Sequence, residues 1–332
     1  MYWRLRRQAV LFDVPERPIL VEGPDAEKLL DRVLTRDVSR LEPGRAAYAI
    51  SCADDGGILM DGVLVRFSRE RFWYVLADGD YLGWLTAHAR GLDVAIADPQ
   101  VWVAQIQGPA SLDVLAAACD GPAPEPFPYF GVSEARIGGT PVVVTRTGWS
   151  GELGFEVYVP PEVDGGALWD RLLESGAPFG LAAQSLDSLG IRRIEAGILD
   201  NGTDIDPGLT PFAAGLGRFV DLEKESFVGR EALARADRRQ LLHGIVCPHR
   251  TPAAGSPVAR NGVEVGRTTT GAWSPHLRTG IGYVRFTQPG DWVGTEIEVG
   301  PERDEARVVA LPFYDAERFL PRGLTSPPSP AG

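Results

Sequence analysis

A glycine-rich turn between two strand-like runs carries the residues best suited to binding a ligand. The segment reads Thr-Arg-Thr-Gly-Trp-Ser-Gly-Glu-Leu-Gly-Phe-Glu-Val-Tyr from Thr145 to Tyr158. Alternation along the second run directs Glu156 to the face opposite Phe155 and Val157. A carboxylate can only accept hydrogen bonds, so it suits a ligand edge made of N–H donors. The alternative is an exposed strand carboxylate in a loose hairpin.

Three glycines bracket this turn, at positions 148, 151 and 154. Glycine allows positive φ and close approach of the backbone to another group. A purely structural hairpin of this length rarely needs three glycines, which favours a ligand site. Trp149 in the turn and Tyr129 before it offer flat faces for a ring system or a cation, although aromatic residues near turns more often serve packing.

A second carboxylate interrupts an otherwise apolar strand. Asp61 lies within Gly57-Ile-Leu-Met-Asp-Gly-Val-Leu-Val-Arg66. Burying a charge costs free energy unless the charge is paired or hydrogen-bonded. The residues alone leave two explanations equally open: neighbouring backbone groups bind Asp61, or a ligand requires it.

Other catalytic chemistries find little support in the sequence. The stretch Gly148-Trp-Ser-Gly has the wrong spacing for a nucleophile elbow, and no histidine is placed to complete a triad. The stretch that begins at Gly215 lacks the third glycine of a dinucleotide site. The four histidines show no metal-ligand spacing, and the three cysteines form no Cys-x-x-Cys pattern. We therefore expect neither a metal site nor a disulfide framework.

Length and charge narrow the class of protein. A chain of 332 residues with 44% hydrophobic content is large enough for two or three domains. The net charge of −12 argues against nucleic acid as a partner. No apolar run is long enough to span a membrane, and the first residues lack the apolar stretch of a secretory signal. A cytoplasmic protein is expected.

The first half of the chain reads as a mixture of strands and helices. Residues 19–30 and 103–115 each read as a strand, a Gly-Pro turn and a helix. Residues 58–67 and 71–76 read as the two strands of a hairpin. This pattern predicts an α+β protein with two related units.

The second half of the chain changes from helices to short strands. Helical periodicity covers residues 165–174, 184–197 and 229–235. From Leu241 onward short strands alternate with turns, which predicts a small β-barrel. Within the second helical segment, Arg193 and Glu195 read as an ordinary surface pair.

The chain resembles the glycine-cleavage T-protein family over nearly its whole length. Its glycine-rich segment is similar to the Thr-Gly-Tyr-Thr-Gly-Glu-x-Gly-Phe-Glu signature of that family, with Trp149 in place of the usual Tyr. Further resemblance lies in residues 9–14, 192–197, 227–233 and 311–314. The family comprises folate-dependent aminomethyltransferases and their demethylase relatives.

The resemblance implies a three-domain cloverleaf of the T-protein type. It places a folate-binding region of two interleaved α+β domains in residues 1–236, with the inserted domain at roughly 16–102. A small C-terminal β-barrel domain would follow in residues 237–320. Residues 321–332, which are rich in Pro and Ser, would form a flexible tail.

The same resemblance assigns roles to the site residues. Asp61 falls on the second Asp of a Gly-Gly-x-x-Asp-Asp-Leu segment, where the family residue activates or orients the reacting amine. Met60 replaces the first Asp. Glu156 would hold the pterin of tetrahydrofolate. The aromatic residues of the folate pocket would be Tyr48, Tyr129 and Trp149.

Two donors and one non-enzymatic role follow from the resemblance. Leu76-Ala-Asp-Gly-Asp80 is similar to the branch containing dimethylsulfoniopropionate demethylase, and Asp78 together with Trp149 would contact the donor. The main hypothesis is transfer of a methyl group from a small cationic or methylated donor to N5 of tetrahydrofolate. The alternative is a glycine-cleavage aminomethyltransferase acting on a lipoyl carrier protein. A non-catalytic folate-binding scaffold is disfavoured, because residues 224–231 lack the Cys of such relatives.

Overall fold

The computed structural model describes residues 1–77 and 79–324, which form a mixed α+β structure with three sheets. Asp78 and residues 325–332 of the predicted tail lie outside the described residues. The helices are α1 Tyr2–Arg7, α2 Ala26–Val33, α3 Leu82–His88, α4 Ser111–Ala118, α5 Gly165–Gly176, α6 Asp187–Glu195 and α7 Arg230–Arg235. Short 3₁₀ turns are formed by Val38–Arg40, Ala177–Phe179 and Gly217–Phe219.

Strands account for most of the regular structure. They are β1 Val10–Val14, β2 Arg17–Glu22, β3 Arg45–Cys52, β4 Ile58–Arg66, β5 Arg71–Leu76, β6 Ala95–Ala97, β7 Trp102–Gln107, β8 Val132–Ile137, β9 Thr140–Thr145, β10 Gly154–Val159, β11 Ala182–Ala183, β12 Leu242–Cys247, β13 Pro257–Arg260, β14 Val263–Ser274, β15 Thr279–Phe286, β16 Glu296–Val299 and β17 Asp304–Val309. The predicted α+β class is confirmed.

The first sheet has six strands in the order β11-β1-β7-β10-β9-β8. Helices α4 and α5 pack on one face through a core that includes Leu115, Phe155 and Leu172. Strand β7 lies between β1 and β10 and is buried over almost its whole length. A central buried strand is normally apolar, yet β7 carries Gln105 and Gln107. Their amides belong to the site described below.

The predicted hairpin around the glycine-rich segment is also present. Strands β9 and β10 pair in antiparallel fashion, with Glu156 opposite Thr145. Residues 146–153 connect the two strands, and we call this connection the glycine turn. Phe155 and Val157 enter the core under α4 and α5, so Glu156 is directed to the opposite face of the sheet.

The second sheet has five strands in the order β3-β4-β5-β2-β6. Helices α2 and α3 cover one of its faces, through a core that contains Leu29, Leu30 and Leu85. In the antiparallel pair β3 and β4, Tyr48 lies opposite Val63 and Ile50 lies opposite Asp61. Tyr48 and Asp61 are therefore diagonal neighbours on one face.

The third sheet is a closed barrel in the order β12-β15-β14-β13-β16-β17, as the sequence predicts. Its longest strand, β14, shifts register against β15 between Thr268 and Thr270. A bulge of this kind leaves one residue, here Thr269, outside the ladder and free to make another contact.

Helix α6 lies where the three sheets meet. Leu189 packs into a core shared by the first and second sheets, which also contains Trp73 and Tyr158. Ile194, further along the same helix, packs into a core that joins the second sheet to the barrel residue Tyr283. Among residues 1–77 and 79–324, no helix is long and apolar enough to cross a membrane.

Candidate active site

Glu156 lies at the centre of a hydrogen-bonded cluster in the first sheet. Its Oε1 atom accepts a hydrogen bond from Gln105 Nε2 at 2.9 Å. Its Oε2 atom accepts hydrogen bonds from the Tyr158 hydroxyl and from Thr147 Oγ1, each at 2.7 Å, and a longer one of 3.3 Å from Thr145 Oγ1. Glu156 is only 5% exposed. The alternative of an exposed strand carboxylate is therefore wrong.

Two opposing effects act on the Glu156 carboxyl. Burial raises its pKa, because water no longer solvates the charged form. The hydrogen bonds from Tyr158, Thr147, Thr145 and Gln105 oppose that rise by stabilising the carboxylate. All four donors are neutral, so the cluster fixes the carboxylate without adding a positive charge to balance it.

Gln107 explains two of the three glycines, one within the glycine turn and one at the start of β10. A Cβ atom at Gly148 would lie 2.2 Å from the Gln107 amide, and one at Gly154 would lie 2.3 Å from it. That amide donates to Thr147 O at 3.2 Å and accepts from Ser150 Oγ at 2.6 Å. The prediction that these glycines exist for a ligand's approach is wrong, because a neighbouring side chain occupies the space.

The third glycine of the turn has a local cause as well. Gly151 has φ of +67°, a left-handed conformation that favours glycine. A Cβ there would also lie 2.5 Å from the Cβ of Ala196, which follows α6. The glycine turn is thus packed between the Gln107 side chain and Ala196 at the end of α6.

Asp61, on β4, accepts hydrogen bonds from two distant parts of the chain. The Tyr48 hydroxyl donates to Oδ2 at 2.8 Å, and Asn201 Nδ2 donates to Oδ1 at 3.1 Å. All three residues are partly buried. The ring of Tyr48 is supported by Phe219, with ring centroids 4.6 Å apart. Two side chains from other segments and the backbone of Asp61 itself therefore hold this carboxylate.

Burial raises the pKa of the Asp61 carboxyl, and the nearby Asp200 carboxylate adds to the rise. The hydrogen bonds from Tyr48 and Asn201 oppose it, because they stabilise the charged form. The pKa of the Tyr48 phenol is raised by burial and by the adjacent Asp61 carboxylate. Tyr48 therefore stays protonated and continues to donate its hydrogen bond.

Trp149, in the glycine turn, already has a cationic neighbour. The Arg193 guanidinium carbon lies 5.2 Å from the centroid of its ring. Arg193 also forms an ion pair with Asp204 and donates to Thr270 Oγ1 at 3.2 Å. Trp149 is partly buried, so part of its surface remains accessible.

The prediction that Arg193 and Glu195 form a surface pair is wrong. Both residues are buried, and Glu195 is 0% exposed. Glu195 forms its ion pair with Arg192, whereas Arg193 is bound by Asp204. The cause lies in the packing of α6, because elements of the first sheet and of the barrel contact this helix on different sides.

Tyr129 precedes β8 and lies beside the edge of the second sheet. The following residue, Phe130, accepts a backbone hydrogen bond from Ala46 N of β3 at 2.8 Å. Burial raises the pKa of the Tyr129 phenol, and Arg318, Arg322 and Arg146 oppose that rise by their positive charge. Tyr129 thus lies near three arginines, of which Arg146 belongs to the glycine turn.

Contacts connect some of the predicted site residues directly and link the Glu156 cluster to the second sheet. Tyr48 and Asp61 touch directly. Tyr158, a donor to Glu156, contacts Trp73 of the second sheet with ring centroids 5.3 Å apart. The described residues offer no placement for Asp78, whose predicted role is not tested.

Sequence reasoning missed several residues of this region: Gln105, Gln107, Thr147, Tyr158 and Asn201. Two polar amides in a buried central strand are a signal that could have identified the glutamines. Asn201 gives no such signal, since it lies 140 residues from Asp61 in the sequence.

Comparison with known proteins places this region in a family. A model described as the GCVT N-terminal domain matches residues 2–224, and one described as the glycine cleavage T-protein C-terminal barrel domain matches residues 239–315. The chain belongs to the glycine-cleavage T-protein family. The family resemblance drawn from the sequence is confirmed.

Aminomethyltransferases of several bacteria match this chain over most of their length. The aminomethyltransferase of Streptomyces avermitilis is 37% identical over 333 residues, which covers 95% of this chain and 88% of the relative. That of Rubrobacter xylanophilus is 38% identical over 334 residues, covering 97% and 87%. The crystal structure of the glycine cleavage system aminomethyltransferase T from Bartonella henselae matches with a TM-score of 0.85 at 28% identity, covering 95% and 88%.

These findings decide between the coarser hypotheses. The T-protein architecture with its C-terminal barrel is confirmed, and this T-protein is an enzyme of the transferase class. The scaffold hypothesis is thereby set aside. The relatives carry the name aminomethyltransferase, which corresponds to the glycine-cleavage alternative and not to the demethylase-like main hypothesis.

Proposed function

We propose that this enzyme transfers a one-carbon unit to tetrahydrofolate from an aminomethyl group carried by a lipoyl carrier protein. The proposal depends on Asp61. Among the residues that the structure describes, both donors to its carboxylate, Tyr48 and Asn201, are neutral. A carboxylate held in this way keeps its negative charge available for a reacting amine. The aminomethyltransferase relatives supply the reaction class.

The residues around Glu156 suit the pterin ring of tetrahydrofolate. Among the described residues, Oε1 accepts one hydrogen bond, from Gln105, which leaves it a lone pair for a ligand N–H. The donors to Oε2 fix the orientation of the carboxylate before a ligand arrives. When bound, tetrahydrofolate supplies the nucleophilic nitrogen that takes the one-carbon unit. Aromatic faces for its rings would come from Tyr48, Tyr129 and Trp149.

Asp61 would act on the amine of the donor. When the carbon–sulfur bond of the donor breaks, its electron pair leaves with the lipoyl sulfur and the donor nitrogen becomes a positively charged iminium. A carboxylate in a partly desolvated position stabilises that charge strongly until the carbon bonds to the folate nitrogen. Tyr48 and Asn201 would keep the carboxylate oxygens in place while the charge develops. Little rearrangement of the protein is then required during the reaction.

Trp149 bears on the choice between an aminomethyl donor and a small onium donor. One face of its ring already carries the Arg193 guanidinium, which Asp204 holds in place. A sulfonium or quaternary ammonium donor would compete for the same kind of contact. This supports the aminomethyl donor over the methyl transfer that the sequence first suggested. A contact from Asp78 to the donor stays a prediction.

The proposal is tested with a loaded carrier protein and tetrahydrofolate in a single-turnover assay. Asp61→Asn should lower the rate of transfer by about 100-fold or more, because a neutral amide stabilises the positive charge that develops on the donor nitrogen far less than a carboxylate does. Asp54→Asn is the matched control, since Asp54 is an exposed carboxylate in the turn before the same strand. An unchanged rate in Asp61→Asn would contradict the role of Asp61. A folate adduct formed from dimethylsulfoniopropionate, and not from the carrier, would restore the demethylase hypothesis.

We further propose that the domains follow the limits predicted from the sequence. The strands of the second sheet all fall within residues 17–97, which supports an inserted domain at 16–102 of a 1–236 region. The barrel strands fall within 242–309, which supports a domain at 237–320. The three cysteines are free thiols, which supports a reducing, cytoplasmic location.

A further inference from the structure

Asn201 occupies a short turn after α6 that has no role in the family resemblance. The turn, residues 200–205, is closed by backbone hydrogen bonds from Asp204 N to Asp200 O and from Gly202 N to Ile205 O, both at 2.8 Å. Its conformation places the Asn201 amide against Asp61 Oδ1 at 3.1 Å. This turn therefore delivers the second of the two donors to Asp61.

Asp204 anchors the turn to α6 and to the barrel. Its carboxylate forms an ion pair with Arg193, accepts from Asp200 N at 3.0 Å and accepts from Thr269 Oγ1 at 2.5 Å. Thr269 is the residue that the bulge in β14 leaves outside the ladder. Helix α6, the barrel and the backbone of Asp200 thus fix the position of Asp204, three residues after Asn201.

We propose that Asn201 is a positioning residue for Asp61, fixing its carboxylate through Oδ1 while Tyr48 fixes Oδ2, and that the barrel sets this position through Thr269 and Asp204. The inference rests on the proposed function of Asp61. Two donors on opposite oxygens restrict rotation of the carboxylate about its last bond. The remaining lone pairs then have fixed directions toward the donor amine. With one side-chain donor removed, the carboxylate can turn more freely about its Cβ–Cγ bond, and the directions of its lone pairs are less well fixed.

Other charged and titratable groups also face Asp61. Tyr48 reaches it from β3 and Asp200 from the 200–205 turn, and the Tyr74 phenol of β5 is close enough for its pKa to be raised by the Asp61 carboxylate. Arg218 faces Tyr48 and lowers the pKa of that phenol. Replacing Asn201 leaves all four of these groups in place, so a change in the titration of Asp61 is attributable to the lost amide.

The first test is Asn201→Leu, which keeps the size of the side chain and removes the donor. The turnover number should fall by about 10-fold, the typical effect of losing a hydrogen bond to a charged group. KM for tetrahydrofolate should stay within about twofold, since Asn201 does not contact the Glu156 cluster. Thr203→Ala is the control, because Thr203 is exposed in the same turn.

The second readout is the pH profile. Activity needs the carboxylate form of Asp61, so activity is lost as the pH falls through its pKa. The Asn201 amide stabilises that form, and its removal should raise the pKa and move the acidic limb of the profile to higher pH. Asn201→Asp should move the limb in the same direction, through repulsion between two carboxylates.

A third measurement does not depend on the donor. The ¹³C carboxyl titration of Asp61, identified by its loss in Asp61→Asn, should shift upward in Asn201→Leu even if the enzyme uses another one-carbon donor. An unchanged Asp61 titration with wild-type turnover would overturn the positioning role. So would a parallel loss of folate binding, which would make Asn201 a structural residue. Failure of Asp61→Asn to lower the rate would instead reject the proposed function.

Discussion

Two groups of carboxylates inside this molecule are held in different ways. Glu152 and Glu195 belong to an ion network, in which Arg6 and Arg192 both bind Glu152, and Arg192 also binds Glu195. Asp61 and Glu156 accept only from neutral donors among the residues that the structure describes. The first group has its charge balanced by the protein, and the second does not. The unbalanced carboxylates are the ones that we propose for ligand binding.

The two groups also differ in what they connect. The ion network joins α1, the glycine turn and α6, and Ser274 of the barrel adds a hydrogen bond to Glu195 at 2.5 Å. The Tyr2 hydroxyl donates to the same carboxylate at 2.8 Å. These contacts fix the relative positions of the elements that carry the site. Carboxylates of the two groups thus lie a few residues apart, as Glu152 and Glu156 do in one hairpin.

Removing a charge from the ion network should have the largest effect. Arg192→Leu leaves Glu152 with one partner and Glu195 with no cation, and it should lower the free energy of unfolding by about 3–5 kcal/mol. Urea denaturation of the purified variant measures this loss. Asp61→Asn in the same experiment should leave the midpoint nearly unchanged, because no ion pair is broken. Equal destabilisation by the two variants would remove the distinction between the groups.

Changing Glu156 should affect folate more than stability. Glu156→Gln replaces an acceptor by an amide whose NH₂ group cannot accept from a pterin N–H, and the Kd for tetrahydrofolate should rise by about 10- to 100-fold. Isothermal titration calorimetry measures the affinity. Glu134→Gln is the control, since Glu134 is an exposed carboxylate on the neighbouring strand β8. A Kd within twofold of the wild-type value would show that Glu156 belongs with the structural carboxylates.

The smallest expected effect is that of the barrel on Asp61. Thr269→Val removes the hydroxyl that binds Asp204, and the turnover number should fall by about two- to fivefold as the Asn201 turn loosens. Steady-state kinetics with both substrates measure the change. Thr287→Val, which alters an exposed hydroxyl bound to Val265 O, serves as the comparison. If the turnover number fell further in Thr287→Val than in Thr269→Val, the contacts from Thr269 through Asp204 to Asn201 would not be the cause.

Local patterns in the sequence were sufficient for the Glu156 half of the site. Strand alternation correctly separated Glu156 from Phe155 and Val157, and the glycine turn marked the hairpin. The barrel followed from the spacing of its short strands. All of these are properties of neighbouring residues, which depend little on the rest of the fold.

The Asp61 half depends on contacts between distant segments. The Asn201 contact joins residues 140 positions apart, and no periodicity encodes it. The pattern of helix α6 alone predicts an exposed Arg193, whereas packing at the junction of the sheets buries it and Asp204 balances its charge. The local sequence around Gly148 and Gly154 does not reveal their neighbour, Gln107, because that residue belongs to another strand.

The Gln107 amide fills the space that side chains at positions 148 and 154 would need. The residues at positions 107, 148 and 154 therefore depend on one another. A larger residue at either glycine collides with the amide, and a smaller residue at 107 leaves a hole beneath the turn. Exchange of this loop between related proteins should therefore succeed only when the middle strand travels with it. For protein engineering, strand β7 and the segment from Gly148 to Gly154 would have to be transferred together, although they are distant in the sequence.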